Sequence, residues 1–316
     1  MQDRYAGDIG DYGKFSLLSE LAKQGLSIGI NWYKTEPLAA ERNNDGGYID
    51  IPQSLRECNP ALADKLSVIS KREDRSIQAL EKLQLIPGAV YYSEAIFVSD
   101  RVNWHNQAIT FFKKNRVDLV FLDPDNGFLV PSVKKHQPRS AKYCFYEEVA
   151  QYIEQGCSVL VYNHRSRKPE IKYFRDIETR IHSYLPNTDV EIFEISFPRF
   201  SVRDYFAIAK PEHSEMIREA FSVMMSGKWV ETHLCQKPLT MGITYSEYRS
   251  RFFSKKEFLR HYKALPEESV REMIRNSDSS TTIKACMFST WKGTNEDDLH
   301  CLKKSYRSSY CREHGV

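Results

Sequence analysis

Two short apolar runs, VDLVFL (residues 117–122) and CSVLVY (residues 157–162), limit the folds open to this chain more than any other feature. Each has the length of a strand buried on both faces, and a helical pattern over 145–154 lies between them. Parallel strands need a crossover of about a dozen residues or more, and the crossover helix then covers a face of the sheet. The rhythm continues outward, with helices predicted over 104–115 and 171–184 and further strands in SIGINWY (27–33) and GAVYYSEAIF (88–97). A first helix is expected directly after the glycine-rich opening, where Phe15, Leu17, Leu18 and Leu21 recur at helical spacing. YIDI (48–51) reads as a short strand, and 60–85 as a helix with apolar points at Leu62, Leu66, Ile69, Ile77, Leu80 and Leu83. DVEIFEISF (189–197) and DYFAIA (204–209) stand close enough for an antiparallel hairpin. The expected fold is therefore α/β: a mostly parallel sheet with helices on both faces and a C-terminal β-hairpin, over residues 1–227.

The pattern changes after Gly227. Residues 228–316 are expected to form a small, mainly helical second domain for binding substrate or a partner, with Ser254 and Glu257 as a capping box. The seven cysteines fit reduced thiols, and those of the C-terminal region, Cys235, Cys286, Cys301 and Cys311, lack the paired spacing of a zinc site. No metal ligand set is assigned there. No run approaches the roughly 18 apolar residues of a membrane span, and the start Met1-Gln2-Asp3-Arg4 has no signal-peptide character, so a cytoplasmic location without membrane contact is expected. The net charge of +3 leaves the partner open.

VFLDPDNGF is the segment richest in chemistry. Asp123, Pro124, Asp125 and Asn126 leave a strand at the carboxyl edge of the sheet, where open α/β sheets bind ligands. Carboxylate, amide and free carbonyl groups there can accept hydrogen bonds from a substrate amine; the same residues also make plain turns. Two basic loops leave the same edge, one with Lys134, Lys135, Arg139 and Lys142, the other with Arg165, Arg167, Lys168 and Lys172. They would suit phosphates of RNA or DNA. The opening GDIGDYGK sets Gly7, Gly10 and Gly13 among Asp8, Asp11 and Lys14, which reads either as a ligand-covering lid or as an N-terminal cap on the first helix.

Ala6-Gly7-Asp8, Asp11 and Lys14, together with Asp123-Pro124-Asp125-Asn126, resemble two motifs of the bacterial large-subunit ribosomal RNA adenine methyltransferases. Those are an opening alanine-glycine-asparagine segment followed by aspartate and lysine, and an Asp-Pro-Pro-Tyr turn. The resemblance implies a class I methyltransferase fold acting on a nucleic-acid amine. It implies S-adenosylmethionine held by Gly7, Asp8, Asp11 and Lys14 with Asn31 at the end of the first strand, and Asp123, Pro124, Asp125 and Asn126 at the target amine. Phe128 would stack on the base in place of the motif aromatic, with Arg165, Arg167 and Lys168 on the substrate. The chain departs from the family at the end of its first strand, INWYKTEP, which has no glycine before Gly46 and Gly47, and at Asn126. Two alternatives stay open. Asp8, Asp11, Asp45, Asp50, Asp123 and Asp125 could hold magnesium in a nuclease. The missing glycine would also fit a catalytically silent binding component of a nucleic-acid-processing or antiviral defence assembly.

Overall fold

The computed structural model describes residues 1–36, 49–70, 75–166, 170–197 and 202–231. The chain divides into two units, and the fold below is that of the unit containing Met1–Arg165 and Thr179–Lys237. Beyond residue 231, the expected helical domain lies outside the described residues.

Helix α1 (Ile9–Lys23) leads into strand β1 (Ile28–Asn31), and the helices α2 (Gln53–Arg56), α3 (Pro60–Ser70) and α4 (Ile77–Lys82) precede β2 (Val90–Tyr92). Then α5 (Arg101–Lys114) and β3 (Leu119–Leu122) are followed by two very short strands, β4 (Gly127–Phe128) and β5 (Tyr143–Cys144), which pair with each other. After α6 (Tyr146–Glu154) come β6 (Ser158–His164), α7 (Glu170–Tyr184), of which Thr179–Tyr184 belongs to this unit, β7 (Glu191–Phe197), β8 (Arg203–Ala209), α8 (Pro211–Met224) and α9 (Gly227–Glu231). The sheet order is β2-β1-β3-β6-β8-β7. β1 lies parallel to β2 and β3, and β3 parallel to β6. β8 runs antiparallel to both β6 and β7, so the last strand returns inside the sheet and leaves β7 at the edge. The expected hairpin is present, with the closing strand as the inner of the two.

Alternation along the strands sorts side chains to two layers of helix. Ile28 and Ile30, with Phe121, Leu160 and Tyr205, share one buried core with Leu17 and Leu21 of α1, Leu66 of α3, Leu80 of α4 and Ile217 of α8. Gly29 and Asn31 point the other way. A β-carbon on Gly29 would stand 2.5 Å from Phe112 Cδ1, so α5 is seated against bare backbone there. Asn31 Nδ2 donates to Tyr152 Oη of α6 at 3.1 Å.

Three expectations are corrected. The single helix over 60–85 is two, because Ser76 caps a new start by accepting from the Ala79 amide at 3.2 Å. Residues 49–51 form no strand, and Tyr48 lies outside the described residues. Helix α1 begins at Ile9, six residues before the first apolar point of its pattern at Phe15, and thereby absorbs most of the glycine-rich opening. No helix among the described residues is long and apolar enough to cross a membrane.

Gly29→Ala is expected to destabilise the fold by about 1–3 kcal/mol through overpacking against Phe112. Urea unfolding reads this as a lower midpoint at constant slope. An unchanged midpoint would contradict the seating of α5 on β1.

Candidate functional site

The site is built from the start of α1. Gly7, at φ +79°, turns the chain into the helix, a conformation that costs glycine little. Asp8 is the N-cap, its Oδ1 accepting from the Asp11 amide at 3.0 Å, while the Gly7 amide donates to Asp11 Oδ2 at 2.7 Å. The opening is thus the cap and first turns of a helix. Its two helical glycines serve close packing: an added β-carbon would lie 2.7 Å from Arg203 Nε at Gly10 and 3.0 Å from the Phe197 ring at Gly13.

One turn into the helix, Lys14 Nζ donates to Asp11 Oδ1 and to Asp123 Oδ2, both at 2.7 Å. The Lys14 and Asp123 side chains are only 5% and 4% exposed, so the pair is shielded from water. Burial alone would push the lysine down, but Asp11 and Asp123 overcome it and hold the ammonium well above its ordinary value. Burial lifts the Asp123 carboxyl, against the pull of Lys14 and the chain's ammonium terminus. Burial and the Asp11 charge raise Asp8 to about 6, although Arg203 Nη2 lies 3.7 Å from its carboxylate.

Asp125 anchors the residues ahead of the helix. Gln2 Nε2 donates to its Oδ2 at 2.8 Å, Lys142 Nζ lies 3.2 Å from the same oxygen, and the Met1 ammonium is 3.1 Å from Oδ1. Burial, with the Arg4 charge, brings Lys142 down to about 8. The Met1 nitrogen also donates to the carbonyls of Trp32, Tyr33 and Asp123 at 2.8, 2.9 and 3.0 Å. Tyr33 takes φ +46°, the left-handed turn for which a glycine would be the usual residue, and its ring stays fully buried with the hydroxyl donating to Glu148 at 3.0 Å. The turn after Asp125 is closed by Asn163, whose Oδ1 accepts from the Phe128 amide at 2.8 Å. Gly127, at φ +97°, is required there, since a β-carbon would fall 1.9 Å from that oxygen.

The structure therefore gathers Gly7, Asp8, Asp11, Lys14, Asp123 and Asp125, with Pro124 buried between the two aspartates. Asn126 is beside them, its amide bonded to the Lys142 carbonyl at 2.9 Å. Other predicted residues have different commitments. The Asn31 amide is used by Tyr152 and by the Tyr33 backbone nitrogen. The Phe128 ring is buried and stacks on Tyr146 at 4.6 Å, which withdraws it from any base in solution. Arg165 grips Asp204 at 2.5 and 2.9 Å. Arg167 and Lys168 lie outside the described residues. Met1, Gln2, Asn163 and Arg203 were not singled out by sequence; only the Asp-Asn-Gly turn hinted that a buried partner such as Asn163 must close it.

Among the described residues no group of three or more His, Cys, Asp or Glu side chains is arranged to hold a metal ion. Asp11 and Asp123 meet around an ammonium, Asp50 is exposed, and Asp45 lies outside the described residues. Cys58, Cys144 and Cys157 are not in disulfides. Comparison with family models, curated proteins and solved structures finds no significant match.

Asp8 gives a pH test. Between the ordinary aspartate value and about 6 the folded chain keeps a proton that the unfolded chain releases, so this group's stabilising contribution falls as pH rises through that window. Asp8→Asn keeps the cap and removes the titration. Its melting temperature is expected to gain several degrees on the natural chain between pH 4 and 7. Parallel curves would refute the assignment.

Proposed function

We propose that this chain is an S-adenosylmethionine-dependent methyltransferase-like protein acting on an amine of a nucleic acid. The observation that carries the reading is the 2.7 Å contact between Lys14 and Asp123. It joins two short motifs far apart in sequence, one read at the methyl donor and the other at the target amine, at the carboxyl edge of a sheet that ends in an antiparallel hairpin. That hairpin is the arrangement of class I methyltransferases.

The donor set suits such a ligand. Carbonyls of Trp32, Tyr33 and Asp123 with the Asp125 carboxylate match an α-ammonium, and Lys14 matches a carboxylate. When bound, S-adenosylmethionine supplies an electrophilic methyl group on sulfonium sulfur. The chain's own work is alignment: Asp123 and the Pro124 carbonyl accept hydrogen bonds from the target amine, directing its lone pair, and the turn held by Gly127 and Asn163 fixes their positions. Exposed Lys134 and Arg139 support a phosphate-bearing substrate, with Lys135 beside them paired to Glu147. One observation favours a silent binding component instead: Lys14 is already paired with Asp11 and Asp123, and Asp125 with Met1 and Lys142, within the chain.

Calorimetric titration and thermal unfolding with S-adenosylmethionine or its demethylated product decide between these. A ligand at about 100 times its dissociation constant adds roughly 2.7 kcal/mol, a rise of several degrees. The reading expects that rise, and its loss in Lys14→Gln chains that retain native circular dichroism. Absence of binding would favour the silent component. Stabilisation by magnesium alone, lost in Asp123→Asn, would favour a nuclease.

A further inference from the structure

We propose that Tyr184, at the end of α7, is the outer step of a stacking platform for an unpaired base of a single-stranded nucleic acid, with Arg180 and the loop 131–139 meeting its phosphates. This rests on the nucleic-acid reading of the substrate and narrows it to unpaired strands. Three rings lie one upon the next. Phe128 stacks on Tyr146 with centroids 4.6 Å and planes 12° apart, and Tyr146 stacks on Tyr184 at 5.9 Å and 15°. Phe128 and Tyr146 are buried, whereas Tyr184 is 44% exposed. The ladder therefore runs from the core to solvent and ends in a ring that a further ring can continue.

A singly exposed apolar side chain needs no explanation. Tyr184 differs through the charge set around its stack. Arg180, one turn earlier on the same helix face, places its guanidinium 5.8 Å from the Tyr146 centroid and makes no ion pair among the described residues. Residues 131–139 carry Lys134, Lys135 and Arg139 and no carboxylate. That loop reaches the same turn of α6: Lys135 Nζ lies 5.3 Å from the Phe145 ring and pairs with Glu147, the two residues flanking Tyr146. Its shape is fixed from within, since Ser140 Oγ donates to the Lys135 carbonyl at 2.7 Å and the Lys134 amide to Gln137 Oε1 at 2.9 Å. An aromatic face beside ordered cations is the pairing that a base and its phosphates require, and it tolerates any base because each has a π-face. A base within a duplex has both faces covered by its neighbours, so only an unpaired one can continue the ladder.

The test measures fluorescence anisotropy of a labelled mixed-sequence RNA strand, alone and annealed to its complement, with the full chain. The single strand is expected to bind and the duplex to bind at least about tenfold more weakly. Tyr184→Ala and Tyr184→Leu, the second keeping apolar bulk without a ring face, should each weaken single-strand binding roughly tenfold, and Tyr184→Phe should restore it. Arg180→Gln should flatten the salt dependence by about one phosphate contact. Circular dichroism confirms that each variant is folded; if Tyr184→Ala is not, the comparison of Leu with Phe carries the test. Equal binding of strand and duplex, or Tyr184→Leu binding as Tyr184→Phe does, would overturn the platform. The methyl-donor reading would then stand on its own calorimetric titration. Failure of the natural chain to bind RNA in either form would overturn the platform whatever that titration gives, and with donor binding intact it would move the acceptor away from RNA.

Discussion

A buried lysine between two aspartates holds this architecture together. Lys14 lies on the first helix and Asp123 at the end of a central strand, and their contact ties α1 to the carboxyl edge of the sheet. Withdrawing such charges from water is expensive, and breaking a buried pair from one side typically costs about 3–5 kcal/mol. The surroundings meet that cost by balance. Lys14, Met1 and Lys142 supply three positive charges against Asp11, Asp123 and Asp125. Because each cation touches an anion of another element, the N-terminal residues, α1, the β3 turn and the segment before β5 are held as one unit.

Backbone strain is concentrated around the same edge. Tyr33 occupies a left-handed conformation without being glycine, and conformations of this kind persist only where the surroundings over-determine them. Here Asn31 Oδ1 accepts from the Tyr33 amide at 3.2 Å, the Met1 nitrogen holds its carbonyl, and Glu148 holds its hydroxyl. Glu148 is itself fixed by Arg101 at 2.6 and 2.8 Å. A left-handed turn thus follows the first strand without a glycine to make it. Tyrosine adds a ring packed at 5.0 Å against Trp104, joining the edge to the layer behind it.

What could be read in the sequence follows from how local each cause is. The strands at 117–122 and 157–162 were legible because continuous apolar runs can be satisfied only between two covering layers. In the opening, glycine signals a turn in isolation, whereas Gly10 and Gly13 answer to Arg203 and Phe197, residues about 190 positions away. Asp8 pointed correctly to a cap. Phe128 was read as a base-stacking ring from its place beyond the turn, yet the positive φ of Gly127 and the β4–β5 pairing carry it into the core. The roles of Met1 and Gln2 had no local signal, since a polar terminus becomes structural only when carbonyl and carboxylate partners from three other segments converge on it.

The charge balance also selects what could enter this edge. A divalent cation would bring two charges to carboxylates already neutralised by Lys14, and the displaced ammonium would need new partners in a water-poor setting. An anion alone would face Asp11, Asp123 and Asp125. An amino-acid-like zwitterion differs, because it offers an ammonium to the carbonyls and a carboxylate to Lys14. It carries no net charge of its own, and each of its two charged groups meets a group of opposite polarity at this edge. That pairing is the physical reason for favouring a ligand with an amino-acid portion over a metal ion.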